Sequence, residues 1–393
     1  MAKAVVLGTG FGGLAVLSWL RRLMRPGELT ITAVDRLPDM VYRPALVHAL
    51  DGPPTAVQRP ARVAVAPLLR RLAVHGIRDT VVGVDPARRQ VHLATAEPLD
   101  YDVLFIATGR HYGWDLVPGL TPHLGGVCED YLARHAAVLN QAWRGGRFVF
   151  AVGPIHGAPD WTPPLAVGCE CPLLESALLF DRWLRRRGRR DATELTVLTP
   201  GPVIAQDAGA RARERILELF SERGIAVLTG SSVRRVTGHT LELSNRQAVA
   251  YDRSIWIPPY AGSPWLHDSG VDDGFGWVPT DGHLNHPLYP DIYAVGDITS
   301  HPWPKMGHAA MVQARIAVHH WVARQRRALP PRSYQPMLVW ALELGAGRGL
   351  LIITDEYWGG RRHFMAEGRW PAAIKWAFQK GYVWRRGALP IMP

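Results

Sequence analysis

Three thiols and one lysine are the residues of this chain best suited to bond-making chemistry. Cys169 and Cys171 stand in Cys169-Glu170-Cys171-Pro172-Leu173-Leu174-Glu175, and Cys128 closes Gly125-Gly126-Val127-Cys128. A thiolate is a nucleophile and a redox partner, and nearby positive charge favours it. Three cysteines are too few for a disulfide scaffold, and Cys-x-Cys without further Cys or His beside it is a poor metal site, so no metal is expected. Residues two apart in an extended chain are separated by roughly 6.6–7.2 Å, at or beyond the usual limit of ~6.8 Å for a bridge. A Cys169–Cys171 disulfide therefore needs a bent backbone; a Cys128–Cys169 pair stays open, as does inert packing of the thiols in a loop. The lysine is Lys305, in Pro304-Lys305-Met306-Gly307-His308, where a helix is expected to open at about Lys305. The free N–H groups of a helix start suit negative charge.

The elements that must position these groups begin at the N-terminus. Lys3 to Leu7 reads as a buried strand, Gly8-Thr9-Gly10-Phe11-Gly12-Gly13 as a tight turn, and Leu14 to Met24 as a helix with Leu17, Leu20, Leu23 and Met24 on its apolar face. Leu29 to Val34 is the next strand, and Asp35 ends it. Gly8, Gly10 and Gly13 between a strand and a helix, followed by an acid, form a dinucleotide fingerprint. The glycines allow the turn, the approach of a pyrophosphate and close helix packing; the carboxylate takes ribose hydroxyls. Arg36 follows Asp35. Pro44 bends the loop after Tyr42-Arg43 and either faces a bound ring or is a plain loop proline. Thr80 to Asp85, with Val82 at its centre, and Gln90 to Leu93 read as a hairpin. Tyr101 to Ile106 is a strand that exits through Ala107-Thr108-Gly109, small enough for a cofactor to pass close. Tyr293-Ala294-Val295-Gly296-Asp297 is another strand ending in a Gly-Asp turn, and a long helix runs from about Met306 to Arg326.

A second α/β unit starts at the strand Arg147 to Val152. Its turn, Gly153-Pro154-Ile155-His156-Gly157, puts a proline and a histidine where a pyrophosphate needs access. A segment containing Pro159, Pro163, Pro164 and Cys169 separates that turn from the helix Leu173 to Arg187. The next strand, Glu194 to Leu198, ends in Thr199-Pro200 with no acid for a ribose. The unit is Rossmann-shaped but a poor NAD(P) site. The chain is then expected to return to the first domain at 251. After Pro330-Pro331, Met337 to Leu344 and Gly349 to Thr354 read as strands, and Gly368 to Arg386 as an aromatic-rich basic helix. Trp370, Ala373, Ile374, Ala377, Phe378, Gly381 and Tyr382 lie at helical spacing; Arg369, Lys375, Lys380, Arg385 and Arg386 supply charge. Such a helix fits either a membrane interface or packing on its own domain.

The fold class expected is α/β, with two Rossmann-like dinucleotide-binding domains, the second inserted in the first, and a small C-terminal membrane-interface region. The boundaries are 1–110 and 251–330 for the first domain, 111–250 for the second and 331–393 for the tail. At 393 residues the chain exceeds one ordinary core. No signal peptide is visible, and no run reaches the roughly 18 apolar residues of a spanning helix, so a cytoplasmic protein is expected. The net charge is +11, and 41 of the 45 basic residues are arginine, Lys3, Lys305, Lys375 and Lys380 being the lysines. That charge suits an anionic membrane surface. The skew to arginine also fits genome composition or life at high temperature. Nucleic-acid binding is not expected, because the arginines are spread along the chain and no recognition module is visible.

These motifs together resemble the two-dinucleotide-domain flavoproteins, and within them the sulfide:quinone oxidoreductase and flavocytochrome c sulfide dehydrogenase branch. The Cys169 to Glu175 segment resembles that branch's Cys-x-x-Pro-x-x-Glu, and Cys128 resembles another of its cysteines. The resemblance implies FAD, held by Gly8, Gly10, Phe11, Gly13, Asp35, Arg36, Pro44, Val82, Ala107, Thr108, Gly109, Gly296, Asp297, Lys305 and Gly307. It implies catalysis by Cys169, with Cys171 and Cys128, and stabilisation of reduced-flavin charge by Lys305. The implied partners are a small sulfur substrate, a membrane quinone entering near the C-terminal region and an anionic membrane surface. The protein would be peripheral on the inner face, and a homo-oligomer is compatible with the sequence. The chain departs from the branch at Val339-Trp340-Ala341, where the family places its second disulfide cysteine. A disulfide across the flavin face, built the family's way, cannot form here. Two alternatives stay open: a type II NADH:quinone oxidoreductase-like enzyme, and a non-catalytic flavin-binding protein of the membrane surface.

Overall fold

The computed structural model describes residues 1–52, 61–158 and 160–387. Pro159 and residues 388–393 of the expected tail lie outside the described residues. Among the described residues the first sheet has five strands in the order Ile292–Ala294, Val103–Ile106, Ala2–Leu7, Leu29–Asp35, His75–Arg78. All neighbours run parallel. A parallel sheet is covered on both faces, which is why its strands are near-continuous apolar runs. Val103, Leu104, Phe105 and Ile106 are each fully buried.

Register decides where the functional turns fall. Leu7 is level with both Val34 and Ile106, and Ile106 with Ala294. Gly8, Asp35, Ala107-Thr108-Gly109 and Gly296-Asp297 therefore leave the sheet at one edge, the carboxyl end, where open α/β sheets bind ligands. Two helices, Phe11–Leu23 and Gly307–Arg326, pack on each other over this sheet. Small residues let them come close: a Cβ on Gly12 would sit 3.1 Å from Val295 Cγ2 and 3.7 Å from Ala310 Cβ. The second helix opens at Gly307, two residues later than the sequence suggested, so Lys305 stands in the turn before it.

The expected hairpin forms, with Val81–Asp85 antiparallel to Gln90–Leu93. The second sheet runs Ile225–Leu228, Thr193–Leu198, Gly146–Val152, Arg253–Ile257, again all parallel. Arg253–Ile257 corrects the expected return at 251. This strand pairs with Gly146–Val152 and completes the second sheet, so the chain leaves that sheet only after Ile257. Its apolar Ile255-Trp256-Ile257 fits either sheet, and only the pairing distinguishes them. The tail forms a three-stranded antiparallel sheet, Leu338–Gly345, Arg348–Thr354 and His363–Gly368, and then the helix Arg369–Trp384.

That last helix divides its residues differently from the simple amphipathic reading. Pro371, Lys375 and Tyr382 face inward and are buried. Trp370, Ile374, Trp376 and Trp384 face out and are exposed. Lys375, one of the residues named from the sequence as supplying charge, is turned inward onto the Glu175 carboxylate. No helix among the described residues is long and apolar enough to cross a membrane.

Candidate active site

The glycine turn is built as the fingerprint requires. Gly8 has φ +91°, and a Cβ there would lie 2.6 Å from the Ala107 carbonyl oxygen. A Cβ on Gly13 would lie 1.8 Å from the Gly8 carbonyl oxygen. In front of Gly10 and Gly109, by contrast, an added Cβ would meet nothing within 4 Å. The backbone is thus packed behind the turn and open before it. Asp35 is held in place by three donors: Thr9 N–H at 2.7 Å and Thr9 Oγ1 at 2.8 Å on Oδ2, and Leu37 N–H at 2.9 Å on Oδ1. Arg36 follows it and lies within electrostatic reach of Tyr131.

Phe11 opens the first helix and seals the cradle from the side of the second. A Cβ on Gly307 would fall 2.7 Å from its ring. Its ring also meets those of Tyr42 at 5.7 Å and Tyr382 at 4.9 Å. Pro44 sits at the start of the short helix Arg43–Ala49, whose Ala45, Leu46 and Val47 are buried. Val82 lies apart from these groups on the hairpin strand, with its side chain half exposed. Gly296, at φ +81°, gives its N–H to Gln313 Oε1 at 2.6 Å, which fixes the Gly-Asp turn.

Asp297 pairs with Arg110 at 2.9 Å, a residue that sequence reasoning missed although it directly follows Ala107-Thr108-Gly109. Arg110 also bonds the Tyr112 hydroxyl and lies 4.5 Å and 4.7 Å from the ring centres of Tyr112 and Tyr260. Burial disfavours its charge, but Tyr112, Tyr260 and Asp297 outweigh that, so it stays a cation. Thr108 Oγ1 and Arg110 Nε are buried polar atoms with no partner among the described residues. Buried polar groups are ordinarily satisfied. Orphans at the sheet edge, beside open space before Gly10 and Gly109, fit a large polar cofactor, and the residues present suit FAD.

Lys305 is buried, donates to the Thr299 carbonyl at 2.6 Å and lies 4.7 Å and 5.1 Å from the ring centres of Trp161 and Trp277. Burial lowers its pKa to about 7, against the pull of Asp297 and Asp273.

Two of the three thiols lie near Arg110, and the third adjoins one of them. Cys128, just before the helix Asp130–Gln141, and Cys169, just before the helix Cys171–Arg186, both lie within electrostatic reach of Arg110 and Tyr260. Cys171 is the first residue of its helix and turns its N–H toward the Cys169 sulfur. All three are free thiols. Arg110 favours the thiolates of Cys128 and Cys169, as expected of a nearby positive charge, but it is outweighed. Burial dominates and raises Cys128 to about 11. It holds Cys169 and Cys171 higher still, with Asp207 beside the first and Glu175 beside the second adding to the effect. The thiols rest protonated, so their chemistry needs a base.

The corresponding edge of the second sheet is filled by the protein itself. A Cβ on Gly153 would lie 2.4 Å from Pro259 N, and one on Gly157 would lie 2.6 Å from the Phe275 side chain. At the end of Thr193–Leu198, Thr199 donates its hydroxyl to Glu170 Oε1, and Ala205 N–H donates to Oε2 at 2.6 Å.

The pyridine nucleotide-disulphide oxidoreductase family matches residues 2–152 and 168–314. The chain belongs to that family. This pyridine nucleotide-disulphide oxidoreductase is therefore an FAD-dependent enzyme. Among curated relatives, the sulfide-quinone reductase of Aquifex aeolicus is 26% identical over 98% of this chain and 91% of its own. An NADH dehydrogenase-like protein of Mycobacterium tuberculosis is 24% identical over 76% of this chain and 73% of its own. Among solved structures, the sulfide:quinone oxidoreductase of Aquifex aeolicus superposes with a TM-score of 0.88 at 23% identity, covering 99% of this chain and 92% of that one.

Proposed function

We propose that this enzyme oxidises sulfide, or a closely related sulfur nucleophile, and delivers the electrons to a membrane quinone. The observation that carries this reading is Arg110, which lies within electrostatic reach of Cys169 and Cys128 and also holds Asp297, with Cys171 turning its N–H toward the Cys169 sulfur. The atoms balance as follows. The S–H bonds of Cys169 and of HS⁻ break with loss of two protons, an S–S bond forms to give a cysteine persulfide anion, and the two electrons reach the quinone, which takes up two protons from its surroundings to become quinol. Bound FAD supplies the two-electron transfer between the two substrates. Arg110 neutralises the anion that gathers beside Cys169, and the Cys171 N–H supports charge on its sulfur. The strand Leu338–Gly345 carries no cysteine, so sulfur is held by these three thiols rather than by a bridge across the cofactor.

The quinone is assigned to the aromatic group of Phe11, Tyr42, Tyr382 and Phe378, between the cradle and the last helix. The exposed Trp370, Ile374, Trp376 and Trp384, with Lys380 and Arg385 over two of the tryptophans, suit a cytoplasmic-face lipid interface. Anaerobic titration of the purified protein tests the reading through its visible flavin band. Bleaching by sulfide, reversed by a soluble quinone, is expected. Bleaching by NADH alone would replace it with an NADH:quinone reductase, and bleaching by neither would point to another donor.

A further inference from the structure

A buried chain of alternating charge begins beside Cys171 and leads outward. Its inner member is Glu175, whose side chain is only 3% exposed. The Lys375 ammonium bonds Glu175 Oε1 and lies 3.7 Å from Glu343 Oε1. Glu343 donates its backbone N–H to Glu175 Oε1 at 3.0 Å. Its carboxylate is 3.3 Å from His48 Nε2, and His48 Nδ1 is 3.4 Å from Asp51 Oδ1. Side-chain exposure rises along the path, from 3% at Glu175 and 8% at Lys375 to 27% at Glu343 and 28% at His48. Four separate segments meet here: the short helix Arg43–Ala49 and its end, the helix that Cys171 opens, the strand Leu338–Gly345 and the last helix. Such a costly buried assembly has no evident packing purpose.

We propose that Glu175, Lys375 and Glu343 form a proton path between the thiol loop and solvent, with His48 and Asp51 as positioning residues that hold Glu343 ionised. The Lys375 ammonium gives a proton to Glu343, and the neutral amine that results turns and takes the proton that the Glu175 carboxylate has collected. One N–H bond forms, one breaks, and Lys375 keeps its charge. Glu343 then releases the proton to water at its exposed edge. The charges favour this order. Burial and the nearby Glu343 make the Glu175 carboxylate easier to protonate than an ordinary one, although Lys375 opposes them. Glu343 is lowered despite burial, because His48 and Lys375 face it. Burial would discharge His48, but Asp51 and Glu343 raise it to about 10. Tyr42 and Cys171 are the remaining titratable groups within reach of Glu175, and both hold their protons. The outward direction of flow rests on the proposed sulfur oxidation; the path itself does not.

The test follows the Glu175 carboxyl by infrared spectroscopy in the flavin-loaded protein without substrate. Its band is the one absent from Glu175→Gln. On mixing with heavy water, the band should shift quickly in the wild type and at least about tenfold more slowly in Glu343→Gln. His48→Gln, at the exposed end, should slow it as well and serves if Glu343→Gln does not fold. A wild-type exchange rate in either variant overturns the proposal, as does a wild type with no protonated Glu175 at any pH where it is folded. In parallel, a pH dye in weak buffer reports proton release on sulfide addition, which should slow in the same variants. A wild type that sulfide leaves oxidised defeats the sulfur reading alone, because the exchange needs no substrate.

Discussion

Replacing Lys375 with methionine should destabilise the enzyme through the charges it leaves behind. Methionine keeps most of the volume, so the loss is electrostatic rather than a cavity. Lys375 and Glu175 are 8% and 3% exposed, well inside the regime where removing one partner of a buried pair costs ~3–5 kcal/mol. The lower end applies, because Glu343 keeps His48 and is 27% exposed. A cost of about 3 kcal/mol is roughly 100-fold in the unfolding equilibrium and, in a chain of this size, roughly 3–6 °C in melting temperature. The penalty has a pH sign. Without Lys375 the folded-state pKa of Glu175 rises further above its unfolded value. A group raised in this way gives its stability below the unfolded pKa and loses it as pH climbs through the folded one. The gap to wild type should therefore be small at about pH 5 and widen toward about pH 8. Scanning calorimetry of Lys375→Met, Glu175→Leu and the double variant measures it. The double variant should lose much less than the two singles added together. Strict additivity, or a Lys375→Met protein as stable as wild type at every pH, would refute the reasoning.

Three further outcomes follow from the same geometry. Gly13→Ala should purify without flavin, because its Cβ would fall 1.8 Å from a backbone oxygen that cannot give way; the absorbance ratio of flavin to protein reads this directly. Alkylation of Cys128 should be slow near neutral pH and speed up only toward about 11, since the thiolate is the reacting form; mass spectrometry of the modified peptide across pH will show it. Replacing Trp376 and Trp384 together by serine should weaken binding to anionic liposomes by about tenfold or more, with activity toward a soluble quinone retained, as sedimentation and steady-state rates will show.

Much of the cradle was legible because its signals are local. Gly13 is forced by a contact within its own turn, and Asp35 is placed by the length of one βα unit. The hairpin at Val81–Asp85 was readable for the same reason. What stayed hidden depends on partners far along the chain. Arg110 reaches Asp297 across 187 residues, and Lys375 reaches Glu175 across 200. A lysine on an amphipathic helix reads as a solvated charge until the carboxylate opposite it is known. The strand Arg253–Ile257 fits either parallel sheet by composition. The protonated state of the thiols reflects burial, which three isolated cysteines in a sequence do not disclose.

Glu170 has a consequence for how the enzyme sits in metabolism. Its carboxylate occupies the end of the second sheet on Thr199 and Ala205 as a tethered occupant, always present at high effective concentration. A soluble dinucleotide would have to displace a ligand that never diffuses away. On the function proposed above, this would insulate the redox centre from the pool of reduced nicotinamide, so that turnover follows sulfur supply and quinone demand rather than the ratio of reduced to oxidised nicotinamide.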